Sequence, residues 1–87
     1  MKVKEGYVLR EVAGQIIVVP TGDAALNFNG VINLNAPGKL LWEMLQNEVE
    51  VEDLVAGMLA KYEVSREVAL KDVEEFLATL KEKKILE

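Results

Sequence analysis

The stretch Val31-Ile32-Asn33-Leu34-Asn35-Ala36-Pro37-Gly38 decides the fold, because it changes from a strand pattern to a helix start within a few residues. Apolar side chains alternate with Asn33, which is typical of a strand with one buried face. Asn35 can accept hydrogen bonds from the free amides of a first helical turn, and Pro37 is tolerated there because its missing N–H would have no partner. The sequence therefore predicts a strand over residues 31–34 and a helix that begins after Asn35.

Upstream of this stretch, two runs rich in β-branched residues predict a hairpin. Residues 7–12 and 15–19 are joined by Ala13-Gly14, a two-residue connection that contains glycine. Pro20 and Gly22 then end the second strand. Asn29-Gly30 is a further turn signal, which could join a short strand at residues 26–28 to the strand at residues 31–34. The first part of the chain thus reads as a three-stranded antiparallel sheet.

Downstream, three amphipathic helices are predicted. The first runs to about Gln46 and carries Trp42 as a core residue, the second covers residues 51–62, and the third begins at the cap Ser65 and ends near Lys83. On a helical wheel the apolar residues of the third helix fall within about 120°, the width of a core-facing stripe; they are Ala69, Leu70, Val73, Phe76, Leu77 and Leu80. The prediction is one α+β domain over residues 1–87, winged-helix-like, with a three-stranded antiparallel sheet followed by a three-helix bundle.

The composition argues against catalysis. The 87 residues include no cysteine and no histidine, which removes thiolate chemistry and the usual general base and metal ligand. Ser65, the single serine, has no activating partner and reads as a helix cap. We expect no catalytic residue, no metal site and no cofactor. No run is long enough to span a membrane, and we expect a cytoplasmic protein.

The negative charge is concentrated in residues 43–75, which hold ten acidic and three basic residues. A phosphate backbone would be repelled by this segment, so nucleic acid is not an expected ligand. A basic partner surface could instead dock on the first two helices. Association of that kind should weaken as salt rises, and binding that is independent of salt would argue against it.

The order of these motifs resembles the PqqD family. The resemblance rests on residues 31–38 followed by Leu41-Trp42-Glu43-Met44-Leu45, and then on three later segments in the same order. These segments are Val51-Glu52-Asp53-Leu54, Lys61-Tyr62-Glu63-Val64 and Asp72-Val73-Glu74-Glu75-Phe76-Leu77. It covers roughly residues 7–87.

The resemblance implies a peptide-recognition protein of natural-product maturation. Such proteins hold the leader of a ribosomally made precursor peptide and present it to a modifying enzyme, often a radical SAM enzyme, in pathways such as pyrroloquinoline quinone biosynthesis. The leader adds as a strand beside the third strand, in a groove closed by the third helix. The expected contact residues on the strand are Gly30, Val31, Ile32, Asn33, Leu34 and Asn35. On the helix, Leu70, Val73, Leu77 and Lys81 are the candidates, although a core position competes for Val73.

Three other functions stay open at this level. A winged-helix DNA-binding regulator would need a basic recognition helix, whereas residues 66–80 hold two basic and four acidic residues. An acidic carrier protein would attach its arm to a serine that usually follows aspartate, whereas Val64 precedes Ser65 here. A structural or oligomerising module is also possible, because an open strand edge could pair with a second copy and form a homodimer.

Overall fold

The computed structural model describes residues 1–27 and 31–87. Its elements are, in chain order, β1 (Tyr7–Val12), β2 (Gln15–Pro20), α1 (Ala24–Asn27), β3 (Ile32–Leu34), α2 (Ala36–Met44), α3 (Val51–Lys61) and α4 (Arg66–Glu82). The strands form one antiparallel sheet in the order β1-β2-β3, so β3 is an edge strand. The fold class is confirmed as a three-stranded antiparallel sheet followed by helices.

The hairpin between β1 and β2 is confirmed. Ala13 and Gly14 connect the strands with φ values of 52° and 79°, and the common two-residue hairpin turn requires positive φ at both positions. The strands pair from Val12 with Gln15 to Tyr7 with Pro20.

The short strand predicted at residues 26–28 is wrong where the structure describes it, because Leu26 and Asn27 belong to the helix α1. Three successive amides from Ala24 to Leu26 donate to carbonyls three residues earlier, which winds this segment into a tight turn. Phe28 and the predicted Asn29-Gly30 turn lie outside the described residues.

Both predicted helix caps are present. Asn35 Oδ1 accepts a hydrogen bond from Gly38 N at 2.8 Å, and Ser65 Oγ accepts one from Val68 N at 3.2 Å. Each side chain satisfies an amide of the first turn that has no partner within its helix. These caps fix where α2 and α4 begin, and α2 therefore begins directly after β3.

The core lies between the sheet and the helices. Val18 and Ile32 from the sheet meet one face of each long helix and the two chain ends. The buried helical residues are Leu41, Trp42, Leu54, Val55, Met58, Ala69, Val73, Leu77 and Leu80. None of the helices in the described part of the chain has the length and apolar character that a membrane span requires.

The C-terminus of α4 ends in a Schellman motif. The amide of Ile85 donates to the carbonyl of Leu80 at 2.9 Å, and the amide of Lys84 donates to that of Lys81 at 3.0 Å. Lys84 has φ 60°, the left-handed conformation that this motif needs. Ile85 is thereby buried, and Leu86 forms a β-bridge with Val3.

Candidate binding cleft

The hydrogen-bonding direction of β2 follows from its two ends. The two-residue turn closes on the pair Val12 and Gln15, and the amide of Thr21 donates to the carbonyl of Gly6 at 2.7 Å. Residues along an antiparallel strand point their N–H and C=O groups alternately to one neighbour and then to the other. The odd-numbered residues of β2 therefore bond to β1. Pro20 is an even-numbered residue of β2, so its backbone faces the β3 side, where it has no N–H to donate. It lies just beyond the residues of β2 that pair with β3.

The same alternation shows which groups of β3 are open. Ile16 and Val18 point toward β3, where their partners are Leu34 and Ile32. Asn33 lies opposite Ile17, a residue that bonds to β1, so the N–H and C=O of Asn33 point away from the sheet. No strand among residues 1–27 and 31–87 pairs with this outer edge of β3. An exposed edge of this kind is a template for another strand.

A cleft runs beside this edge, between β3 and α4. One part, of about 200 Å³, has Ile32 and Leu34 on the strand side and Phe76, Thr79 and Leu80 on the helix side. Its lining combines apolar side chains with three polar ones, which belong to Asn33, Asn35 and Thr79. The Thr79 hydroxyl donates to the carbonyl of Glu75 at 3.1 Å. This part of the cleft can therefore accept an apolar side chain.

The cleft continues past the end of β3 into an acidic part of about 240 Å³. Here Asn35, Pro37 and Gly38 of the α2 start face Asp72 and Glu75 of α4. Neither carboxylate forms an ion pair or a side-chain hydrogen bond with a described residue. No basic side chain lines either part of the cleft in the described chain.

Gly38 lies where the apolar and the acidic parts of the cleft meet. A Cβ atom at this position would lie 3.1 Å from Asn35 Oδ1 and 3.5 Å from Leu34 Cβ. A side chain would therefore press on the Asn35 cap, whereas its contact with Leu34 would be an ordinary van der Waals contact. Glycine lets the first turn of α2 lie close to the end of β3.

An ion pair connects α2 to the β1–β2 hairpin. Lys39 Nζ, on α2, donates to Glu11 Oε1, on β1, at 2.7 Å. This hydrogen bond, together with the negative charge of Glu11, raises the pKa of the Lys39 ammonium above its usual value. Lys39 therefore stays charged, and it lies outside the lining of the cleft.

Four of the predicted strand residues line the cleft, namely Ile32, Asn33, Leu34 and Asn35. Ile32 is buried, Leu34 is half-buried, and Asn33 and Asn35 are exposed. Val31 is also exposed and precedes β3, which is shorter than the predicted strand. Gly30 lies outside the described residues.

The predicted helix residues lie elsewhere. Val73 and Leu77 are buried in the core, with exposures of 0% and 5%, and Leu70 packs against the core from its margin. Lys81 is exposed. None of the four lines the cleft beside β3. The side chains of α4 that do line it are Asp72, Glu75, Phe76, Thr79 and Leu80.

The sequence alone did not identify this face of α4 as a wall of the cleft, although two of its residues belong to the predicted apolar stripe. They are Phe76 and Leu80, and on the same helical wheel Asp72 borders the stripe on the side of Phe76. The stripe has two edges, and its pattern does not show which of them faces the sheet. A large aromatic residue at one edge, next to polar residues, is the feature that favours that edge as a cleft wall.

Solved structures with the same fold are known. The complex of TbiB1 with the TbiA(beta) leader peptide contains a chain that is 24% identical and superposes with a TM-score of 0.77, covering 100% of this chain and 95% of that one. Lasso peptide synthetase B1 complexed with its leader peptide is 17% identical, with a TM-score of 0.73, and the match covers 97% of this chain and 93% of that one. At these identities the likeness shows the fold.

Comparison with family models assigns the family. No curated protein sequence matches the chain. The model of coenzyme PQQ synthesis protein D (PqqD) matches residues 4–86, which is nearly the whole sequence. This chain belongs to the PqqD family.

Proposed function

We propose that this chain binds the leader segment of a ribosomally made precursor peptide as an added strand on the outer edge of β3. The observation that carries the proposal is the outward N–H and C=O of Asn33 beside an open cleft. Membership of the PqqD family supports the same function. The two structures of similar fold were both solved with a leader peptide, which supports leader binding as the function of the present chain.

Strand addition divides affinity and selectivity between backbone and side chains. The open edge bonds to any extended peptide, while pockets beneath alternate guest residues select the sequence. The two parts of the cleft, about 200 and 240 Å³, are each smaller than the 300–1,000 Å³ typical of pockets for small-molecule ligands. They are suited to single side chains of a peptide. A short added strand should bind with a Kd of roughly 0.1–10 μM.

The proposed contact surface on α4 is the cleft-lining face that contains Phe76, Thr79 and Leu80. It replaces Leu70, Val73, Leu77 and Lys81 in the proposal, because a guest on the β3 edge meets the residues that border the cleft. From β3 the proposed contacts remain Ile32, Asn33 and Leu34, with Val31 and Asn35 at the two ends of the edge.

In this proposal the chain acts as a presenting partner and leaves the chemistry to a modifying enzyme, for which a radical SAM enzyme is the first candidate. A leader held on a domain that docks on the enzyme raises the effective concentration of the attached core peptide at the active site. Exposed acidic residues lie between the end of α2 and the start of α3 and suit a basic docking surface on that enzyme; they are Glu43, Glu48, Glu50, Glu52 and Asp53.

Amide hydrogen exchange with and without a leader peptide tests the proposed mode. The probe is a synthetic leader peptide, taken from a short precursor reading frame if one lies beside this gene. Binding should slow exchange at Asn33, whose amide faces outward, while the amide of Ile32 already bonds to β2 and should change little. The matched control is a leader whose backbone amides are N-methylated on alternate residues, which keeps the side chains and removes donors. Unchanged exchange at Asn33 with saturating peptide would contradict strand addition.

A further inference from the structure

The acidic part of the cleft has the chemistry to select one side chain of the guest. Asp72 and Glu75 lie one helical turn apart on the face of α4 that also carries Phe76 and Thr79. Like charges at this spacing repel each other, and neither group has a cationic partner in the described chain. A cation placed between them would be attracted by both carboxylates.

This acidic pair belongs to the wall of the cleft that continues the open strand edge. Asn35, Gly38, Phe76 and Thr79 line both the apolar and the acidic part, so a peptide lying along β3 reaches the two in succession. Leu80 lies five residues from Glu75 and eight from Asp72, about 7.5 and 12 Å along the helix. Guest residues on one face of an extended strand recur about every 6.6 Å, so a spacing of two residues matches the distance to Glu75 and a spacing of four matches the distance to Asp72.

Resting on the proposed function, we propose that the guest leader carries a lysine or arginine two or four residues from a large apolar side chain. The apolar side chain occupies the part of the cleft formed by Ile32, Phe76 and Leu80. The basic side chain lies between Asp72 and Glu75. The net charge of −5 adds a long-range attraction for a basic peptide.

The test selects peptides without assuming the sequence of the leader. A displayed library of random 12-residue peptides is selected on the wild-type chain, and peptides that bind equally to Asn33→Pro are discarded because they do not use the strand edge. A basic residue should be enriched two or four positions from an aliphatic or aromatic residue. The best peptide is then synthesised with its basic residue intact and replaced by glutamine, and both are titrated by fluorescence anisotropy.

Two double variants separate local recognition from net charge. Asp72→Asn/Glu75→Gln should weaken binding of the basic peptide by about 2- to 30-fold and leave the glutamine peptide within about 2-fold, as expected for two exposed ion pairs. Glu67→Gln/Glu74→Gln removes the same charge from a part of α4 that does not line the cleft and should change the affinity for neither peptide by more than about 2-fold.

The outcomes distinguish this inference from the proposed function. Edge-dependent peptides without a basic preference, or equal weakening by the two double variants, would overturn the inference and leave strand addition intact. Failure to recover any peptide that depends on Asn33 would count against both. Loss of the preference for a basic peptide in Asp72→Asn/Glu75→Gln, but not in Glu67→Gln/Glu74→Gln, supports the inference that Asp72 and Glu75 select a basic side chain of the guest.

Discussion

Proline substitution along β3 offers a sharp test of the open edge, because neighbouring residues should respond in opposite ways. Asn33→Pro removes an N–H that faces outward, at an edge position where proline is tolerated. Its side chain is exposed, so the core is untouched. We expect the variant to remain folded and to lose peptide affinity.

The size of that loss can be worked out from the one missing donor. The guest loses a hydrogen bond with a net value of about 0.5–1.5 kcal/mol, and its carbonyl is left without a partner at about 1–3 kcal/mol. Together these correspond to a rise in Kd of roughly 10- to 2,000-fold. Asn33→Ala is the matched control, since it removes the side chain and keeps the N–H, and it should stay within about 3-fold of wild type.

Ile32→Pro should instead damage the protein itself, which makes it a poor test of binding. Its N–H bonds to β2, opposite Val18, and its side chain is 7% exposed. Losing the ladder bond and part of the buried side chain should cost about 3–5 kcal/mol. That is a large part of the roughly 4–13 kcal/mol expected for a domain of this length.

The assay pairs fluorescence anisotropy of a labelled leader peptide with thermal unfolding followed by circular dichroism. Asn33→Pro should bind weakly with a nearly unchanged melting temperature, and Ile32→Pro should melt well below wild type. The assigned bonding direction of β3 is refuted if Ile32→Pro is as stable as wild type while Asn33→Pro unfolds. Wild-type affinity in a folded Asn33→Pro would refute strand addition at this edge.

Two further predictions concern left-handed residues that are not glycine. Lys84→Gly should raise the free energy of unfolding by about 0.5–1 kcal/mol, because glycine adopts φ 60° without strain, whereas Lys84→Ala should give no gain in the same urea titration. Ala13→Asn should raise it by about 0.5–1 kcal/mol, because asparagine tolerates φ 52° and Asn-Gly suits this hairpin turn. Ala13→Val is its control and should destabilise the protein.

Features set by local chemistry could be predicted from the sequence. The caps at Asn35 and Ser65 and the turn at Ala13-Gly14 each depend on a few neighbouring residues, and all three are confirmed. The left-handed conformation of Lys84 could not be predicted from the sequence, because glycine is the usual residue at this position of a Schellman motif. The hydrogen bond from the Ile85 amide to the Leu80 carbonyl stabilises the motif although the residue is a lysine.

Features set by how elements pack could not be predicted in this way. A core stripe on α4 follows from spacing, but the edge of that stripe that faces β3 depends on how the helix crosses the sheet. From the family resemblance we expect Leu77 and Lys81 at the groove, whereas Phe76 and Thr79 are the residues that line the cleft beside β3. The outward direction of Asn33 likewise depends on its register with Ile17, which is a property of the assembled sheet.

The helix cap at Asn35 also limits how far a guest strand can extend. The carbonyl of Asn35 accepts the amide of Lys39 at 2.9 Å, so this residue can offer a guest only its N–H. The open edge from Val31 to Asn35 is therefore about 13 Å long and fits roughly five residues of an extended peptide. In the proposed binding mode a longer leader would leave the sheet beyond Asn35, at the start of α2, and would pass Asp72 and Glu75, which line the cleft there. Backbone pairing thus ends where the acidic part of the cleft begins, and guest residues beyond that point are selected by their side chains alone.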